Sequence, residues 1–138
     1  MTRLLNRRPR RAAAPTADGD NGDQRPAVAI GHVPLTGDDI GDLARFYTSI
    51  GLRKVVRLPG VAILELRGGT HLAITRGPAG SATLDLMVDD VDATREHFVA
   101  IGAAPTDIRR AGPHRRFTAT DPEGNTLVVN SSHVAGPV

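Results

Sequence analysis

Apolar and polar positions along the chain switch from a period of two to a helical spacing, and they do so twice. Val33 and Leu35 alternate with polar neighbours, and Ile40, Leu43, Tyr47 and Ile50 then follow at helical intervals. Fifty-one positions later Leu84 and Leu86 alternate in the same way, followed by Val91, Phe98 and Ile101. The first pattern predicts a strand with one buried face and the second an amphipathic helix. Asp38-Asp39 and Asp89-Asp90 stand where each helix starts, supplying an N-cap and negative charge at its positive end. Gly51 and Gly102 stand where each helix needs a left-handed C-cap. The fold is therefore expected to be a doubled strand–helix unit.

The remaining elements fill out the repeat. Strands are expected over 27–36, 53–58, 61–67 and 70–75, with a helix over 39–50 and a tight Gly68-Gly69 hairpin turn. In the second copy strands are expected over 82–88, 105–110, 115–120 and 126–130, with a helix over 90–101. The stretch Asp121-Pro122-Glu123-Gly124-Asn125 reads as a turn. Each unit is then β-α-β-β-β, an α+β arrangement, with unit one at 27–76 and unit two at 81–131 of a single domain at 27–131.

Composition narrows the function. No cysteine is present, which excludes thiol catalysis and cysteine metal sites. No apolar run approaches a membrane span. Residues 1–26 carry six arginines against three aspartates, and the rest has eleven basic against twelve acidic residues. The basic balance thus belongs to a Pro-, Ala- and Arg-rich leader, which lacks a secretory pattern and reads as disordered and dispensable for folding. Residues 132–138 read as a tail without pattern. A nucleic-acid partner is not expected, because basic residues in the body are scattered and its aromatic residues sit at core spacing.

The segment HVPL…DDIGDLARFYTSIGL, with a second unit ending in DPEGNTLVV, resembles the vicinal oxygen chelate superfamily, which includes glyoxalases, bleomycin-resistance proteins and extradiol dioxygenases. The resemblance implies two tandem βαβββ units whose mixed sheets curl into a cup with flanking helices. It also implies a divalent metal held by four residues, at positions matching His32, Ala73, Thr83 and Val128. Alanine and valine offer no donor and threonine a poor one, so the family metal site is expected to be absent, with no cofactor. A cytoplasmic, small-molecule-binding homodimer follows from the same resemblance. A cup completed between chains is one way to accommodate the short Gly77–Gly80 link.

Strand alternation puts His71 on the face of Ala73, Asp85 on that of Thr83, and Asn130 on that of Val128. His32, His71 and Asp85 are the candidate catalytic residues, with His32 expected one rung from a His71–Asp85 pair. Thr83, Asn130, Arg115, Val128 and Ala73 are candidate ligand contacts, and either Arg115 or Arg116 is placed to meet an anion. Each polar residue also has a plainer reading: His32 as a satisfied relic of a metal site, His71 as an exposed residue after a turn, the arginines as a solvated pair. Three functions fit: an isomerase- or lyase-type enzyme without the family metal site, a non-catalytic antibiotic- or metabolite-binding protein, and a metal enzyme with relocated ligands His32, His71 and Asp85.

Overall fold

The computed structural model describes residues 27–132; the expectations for the leader and the last residues lie outside them. Unit one comprises β1 (His32–Gly37), α1 (Ile40–Ser49), β2 (Arg53–Leu58), β3 (Val61–Glu65) and β4 (His71–Arg76). Unit two comprises β5 (Thr83–Val88), α2 (Val91–Ala100), β6 (Arg109–Ala111), β7 (His114–Thr120) and β8 (Thr126–Ser131). The strands form two four-stranded sheets, ordered β1-β4-β3-β2 and β5-β8-β7-β6. In each sheet the first and last strands of the unit pair in parallel and the other pairs are antiparallel. The doubled α+β fold is thus present, with three boundary differences. β1 begins at His32, leaving Val28 and Ile30 exposed. The Gly68-Gly69 turn is a 3-10 turn over Arg67–Gly69, both glycines at positive φ, so β3 stops at Glu65. β6 is only three residues long, with Thr106 alone donating its N–H to Thr118 O ahead of it.

One face of each sheet packs on its helix. Asp39 and Asp90 cap the helices through their carboxylates, accepting from Asp42 N and Ala93 N. α1 buries Ile40, Leu43, Ala44 and Tyr47 over Leu35, Ala62, Leu64, Leu72 and Ile74. α2 buries only Val91 and Phe98, the latter edge-on to Phe117. Thr94 and Arg95 stand where unit one has Leu43 and Ala44, so the second helix lacks a leucine whose full burial is worth about 1.5–3 kcal/mol.

Helices and loops join the two units. Tyr47 donates its hydroxyl to Asp121 Oδ2 at 2.8 Å, and the Glu123 carboxylate accepts from Asp38 N and Asp39 N at the start of α1. Gly37 is required beside it, since a Cβ there would collide with the Glu123 carboxylate and Leu43. His97 Nε2 donates to Ser49 O at 2.7 Å, and Arg67 forms a two-pronged pair with Asp89 at 3.0 and 2.9 Å. The DPEGN turn is therefore the joint between the units.

Candidate functional site

The faces turned away from the helices carry the chemistry. On the first sheet, register places four side chains in one row across the strands: His32 opposite His71, His71 opposite Glu65, and Glu65 opposite Arg53. The two imidazoles meet edge to face with ring centres 5.5 Å apart. His71 Nε2 lies 3.9 Å from Glu65 Oε1, and Arg53 is ion-paired to the same carboxylate. His71 and Glu65 are half-buried, at 30% and 21% side-chain exposure, while Arg53 lies open at 77%. An imidazole with a carboxylate on one side and a second imidazole on the other can hold or pass on a proton. Beyond the row, Val56, Leu58, Val61, Ile63 and Ala73 make an apolar surface on the same face.

On the second sheet Asp85 Oδ1 accepts from Asn130 Nδ2 at 2.7 Å, and Asn130 is buried. Val128 lies opposite Asp85, and Thr83 opposite Thr126 on the same face. Arg116 lies opposite Asn130 on that face.

The structure thus brings His32 to His71, and Asp85 to Asn130, but the two pairs sit on different sheets. His32 shares a rung with His71 instead of lying one rung away, because β1 and β4 pair in parallel with His32 directly against His71. The carboxylate beside His71 is Glu65, from the adjacent strand of its own hairpin. Among the described residues no hydrogen bond or ion pair joins His32 or His71 to Asp85. Arg115 points to the helix side and forms a two-pronged pair with Asp92 at 2.6 and 3.0 Å, so its neighbour Arg116 takes the place expected for an anion contact. That pairing lowers the Asp92 carboxyl below the usual range, chiefly through the hydrogen bond from Arg115. Sequence reasoning passed over Glu65 and Arg53: counting outward from a two-residue Gly68-Gly69 turn pairs Leu66 with His71, whereas the three-residue turn Arg67–Gly69 sets Glu65 against His71.

The family's metal position does not fit this chain. Of the four residues at ligand positions only His32 is a strong donor, and Ala73 and Val128 have no donor atom. Among the described residues no group of three or more His, Asp or Glu side chains is placed to hold a metal, so the relocated set His32, His71 and Asp85 does not assemble within one chain. Elemental analysis of purified protein is accordingly expected to find well under one Ni, Zn, Fe or Mn ion per chain. A stoichiometric ion lost on His32→Ala would contradict this reading of the donor set.

A cleft of about 730 Å³ opens between the units along the free edge of β5. Thr94 lines it together with Tyr47, Phe98, Leu84, Leu86 and Asp85. His32 and His71 lie outside it, so cleft and histidine row are separate features. Burial, with the Asp121 hydrogen bond second, holds the Tyr47 phenol far above the ordinary range and keeps it a donor.

A family model described as a glyoxalase-like domain matches residues 32–130. No curated protein matches the chain in sequence. Solved structures sharing the fold include a lactoylglutathione lyase from Agrobacterium tumefaciens, with 23% identity over 80% of this chain and 98% of that one, TM-score 0.69. An antibiotic-binding protein from Streptomyces sp. CB03234 shares 24% identity over 76% and 97%, TM-score 0.70. A bleomycin resistance determinant encoded on the transposon Tn5 shares 21% over 78% and 100%, TM-score 0.65. With the doubled βαβββ topology and a family match across nearly all of both units, the chain belongs to the glyoxalase-like domain family of the vicinal oxygen chelate superfamily.

Proposed function

We propose that the chain is a small-molecule enzyme of isomerase or lyase type that moves a proton on its sheet faces without the family metal. The row Arg53–Glu65–His71–His32 carries this reading. Arg53 neutralises and holds the Glu65 carboxylate, Glu65 orients His71, and His71 acts as general acid and base with His32 beside it. On the second sheet Asp85, held by Asn130, is the second acid–base group, and Thr83, Ala73 and Val128 shape the floor. The two faces come together in a homodimer, and the protein works in the cytoplasm. No helix among the described residues is long and apolar enough to cross a membrane.

The experiment is a panel of small carbonyl compounds in deuterated buffer, following exchange of the proton next to the carbonyl by NMR. Compounds exchanged by the wild type are expected to lose about 10²- to 10⁴-fold of that rate in His71→Ala, the usual contribution of a positioned acid–base group. Glu65→Gln is expected to lose less. A second reading, sequestration without turnover, rests on the apolar surface of Val56, Leu58, Val61 and Ile63 beside the row. Saturable binding that raises Tm by mass action, with no exchange of any compound and no change in His71→Ala, would favour it and sink the enzyme reading.

A further inference from the structure

The hairpin β6–β7 carries four arginines, two on each face, and the two faces are treated differently. On the helix side lie Arg110 and Arg115, which pair in register, and Asp92 on α2 neutralises Arg115. On the opposite face lie Arg109 and Arg116, also directly opposed across the two strands. Among the described residues neither has an ion-pair partner. Asp85, on the same face of the sheet beyond β8, accepts from Asn130 Nδ2. Like charges set directly opposite in an antiparallel pair destabilise it. Arg109 is exposed, but Arg116 is half-buried and its Nε–H is buried without a partner. The residue opposite Arg116 on β8 is Asn130, whose Oδ1 is likewise buried and unpartnered. The open Asn130 acceptor faces the Arg116 donor across the strands and does not itself call for an anion; the uncompensated pair of guanidinium groups, one of them with an unused buried N–H, marks a place that lacks its anion.

We propose that Arg109 and Arg116 bind the oxyanion headgroup, carboxylate or phosphate, of a small molecule on this face of the second sheet. Arginine presents a planar fork of N–H donors that suits such groups. Drawing the Arg116 guanidinium toward the anion lets its Nε–H and the Asn130 amide adjust to one another, and the Asn130 amide also holds Asp85. The headgroup would then sit on the same sheet face as the Asp85 carboxylate, with β8 between Arg116 and Asp85. The proposal deepens the functional reading above, on which its choice of ligand face rests, by naming a charged substrate class.

The test is an amide-shift NMR titration of the full chain with malonate, with inorganic phosphate and with neutral malonamide, at ionic strength held constant with NaCl. Malonate or phosphate is expected to bind saturably, with shifts centred on β6–β8, and malonamide not to bind; the tighter of the two anions identifies the headgroup. Arg116→Gln and Arg109→Gln are each expected to weaken the anion roughly tenfold or more, the scale of one charged hydrogen bond. Arg116→Lys, which keeps the charge and loses the fork, is expected to fall between, and Arg110→Gln on the other face to match the wild type. Arg109 is exposed on a short strand, so its variant keeps the test open if Arg116→Gln folds poorly. A response lost in the arginine variants but kept in His71→Ala supports the site even if no carbonyl compound is turned over. Equal response to malonamide, an anion response unchanged in both arginine variants, or no anion binding overturns it even if His71 proves catalytic.

Discussion

Replacing Asp121 by alanine is expected to cost about 3–5 kcal/mol of stability, because it leaves several buried donors unsatisfied at about 1–3 kcal/mol each. Asp121 is 4% exposed and its carboxylate accepts four hydrogen bonds. They come from the Tyr47 hydroxyl at 2.8 Å, Asn125 Nδ2 at 2.7 Å, Glu123 N at 2.9 Å and Asn125 N at 3.0 Å. Removing the acceptor strands a phenol and an amide in the interior and frees the turn that carries Glu123 onto the start of α1. At roughly 4–8 °C per kcal/mol for a domain near this size, Tm should fall by more than about 10 °C. Tyr47→Phe removes one donor and leaves Asp121 its other three partners, so a loss of about 1–2 kcal/mol is expected. Urea unfolding followed separately at the two units adds a second readout. If the Asp121 turn couples them, the two transitions coincide in the wild type and separate in Asp121→Ala. A change in stability below about 1 kcal/mol would mean that the units hold together without it.

The legibility of this chain divides along sequence distance. The doubled units, helix limits and caps depend on periodicity and on residues within a few positions of one another, so Asp39, Asp90, Gly51 and Gly102 could be placed from local pattern alone. The sheet faces were legible too, because alternation assigns them one strand at a time. Partners across strands were not. Glu65 beside His71, and His32 level with His71, depend on the registers β3–β4 and β1–β4, which single-strand alternation does not supply. Arg115 and Arg116 illustrate the limit: the pattern put both at the start of one strand, and only the position of Asp92 on α2 shows which faces the helix. The contact of Tyr47 with Asp121 spans 74 positions. The turn residues Pro122 and Gly124 explain why the chain bends there and say nothing about what the bend grips.

The last expectation is a homodimer that completes the site. Within one chain the ligand-facing surfaces of both sheets lie open: Leu58 is 56% exposed, Met87 43% and Val56 36%. β1 and β5 are edge strands with one unpaired side each, and exposed edges are normally paired or covered. The link between the units is also fastened, with Thr36 Oγ1 donating to Pro78 O at 2.6 Å and Gly77 packed so closely on Thr36 that a Cβ would clash. The Tyr47, Glu123 and His97 contacts hold the helix sides together, so a chain that closed its own two sheets over a ligand would have to break them. A second copy can meet the open faces without breaking any of these contacts, bringing His32 and His71 of one chain to Asp85 and Asn130 of the other. Light scattering at micromolar concentration should therefore give twice the 14.6 kDa chain mass. Met87→Asp and Leu58→Asp place a charge in the proposed interface and should weaken association by about a hundredfold or more, since an unpaired buried charge costs several kcal/mol. Val99→Asp, on the exposed side of α2 at 55%, should leave it unchanged. Sharing of the site is tested by mixing His32→Ala with Asp85→Ala protein. Each is expected to be inactive alone; random exchange of chains would put one intact site in each mixed dimer, so proton exchange should return to about a quarter of the wild-type rate per chain. A 14.6 kDa monomer would refute the dimer, and a stable dimer whose mixtures regain nothing would show that each chain builds its own site.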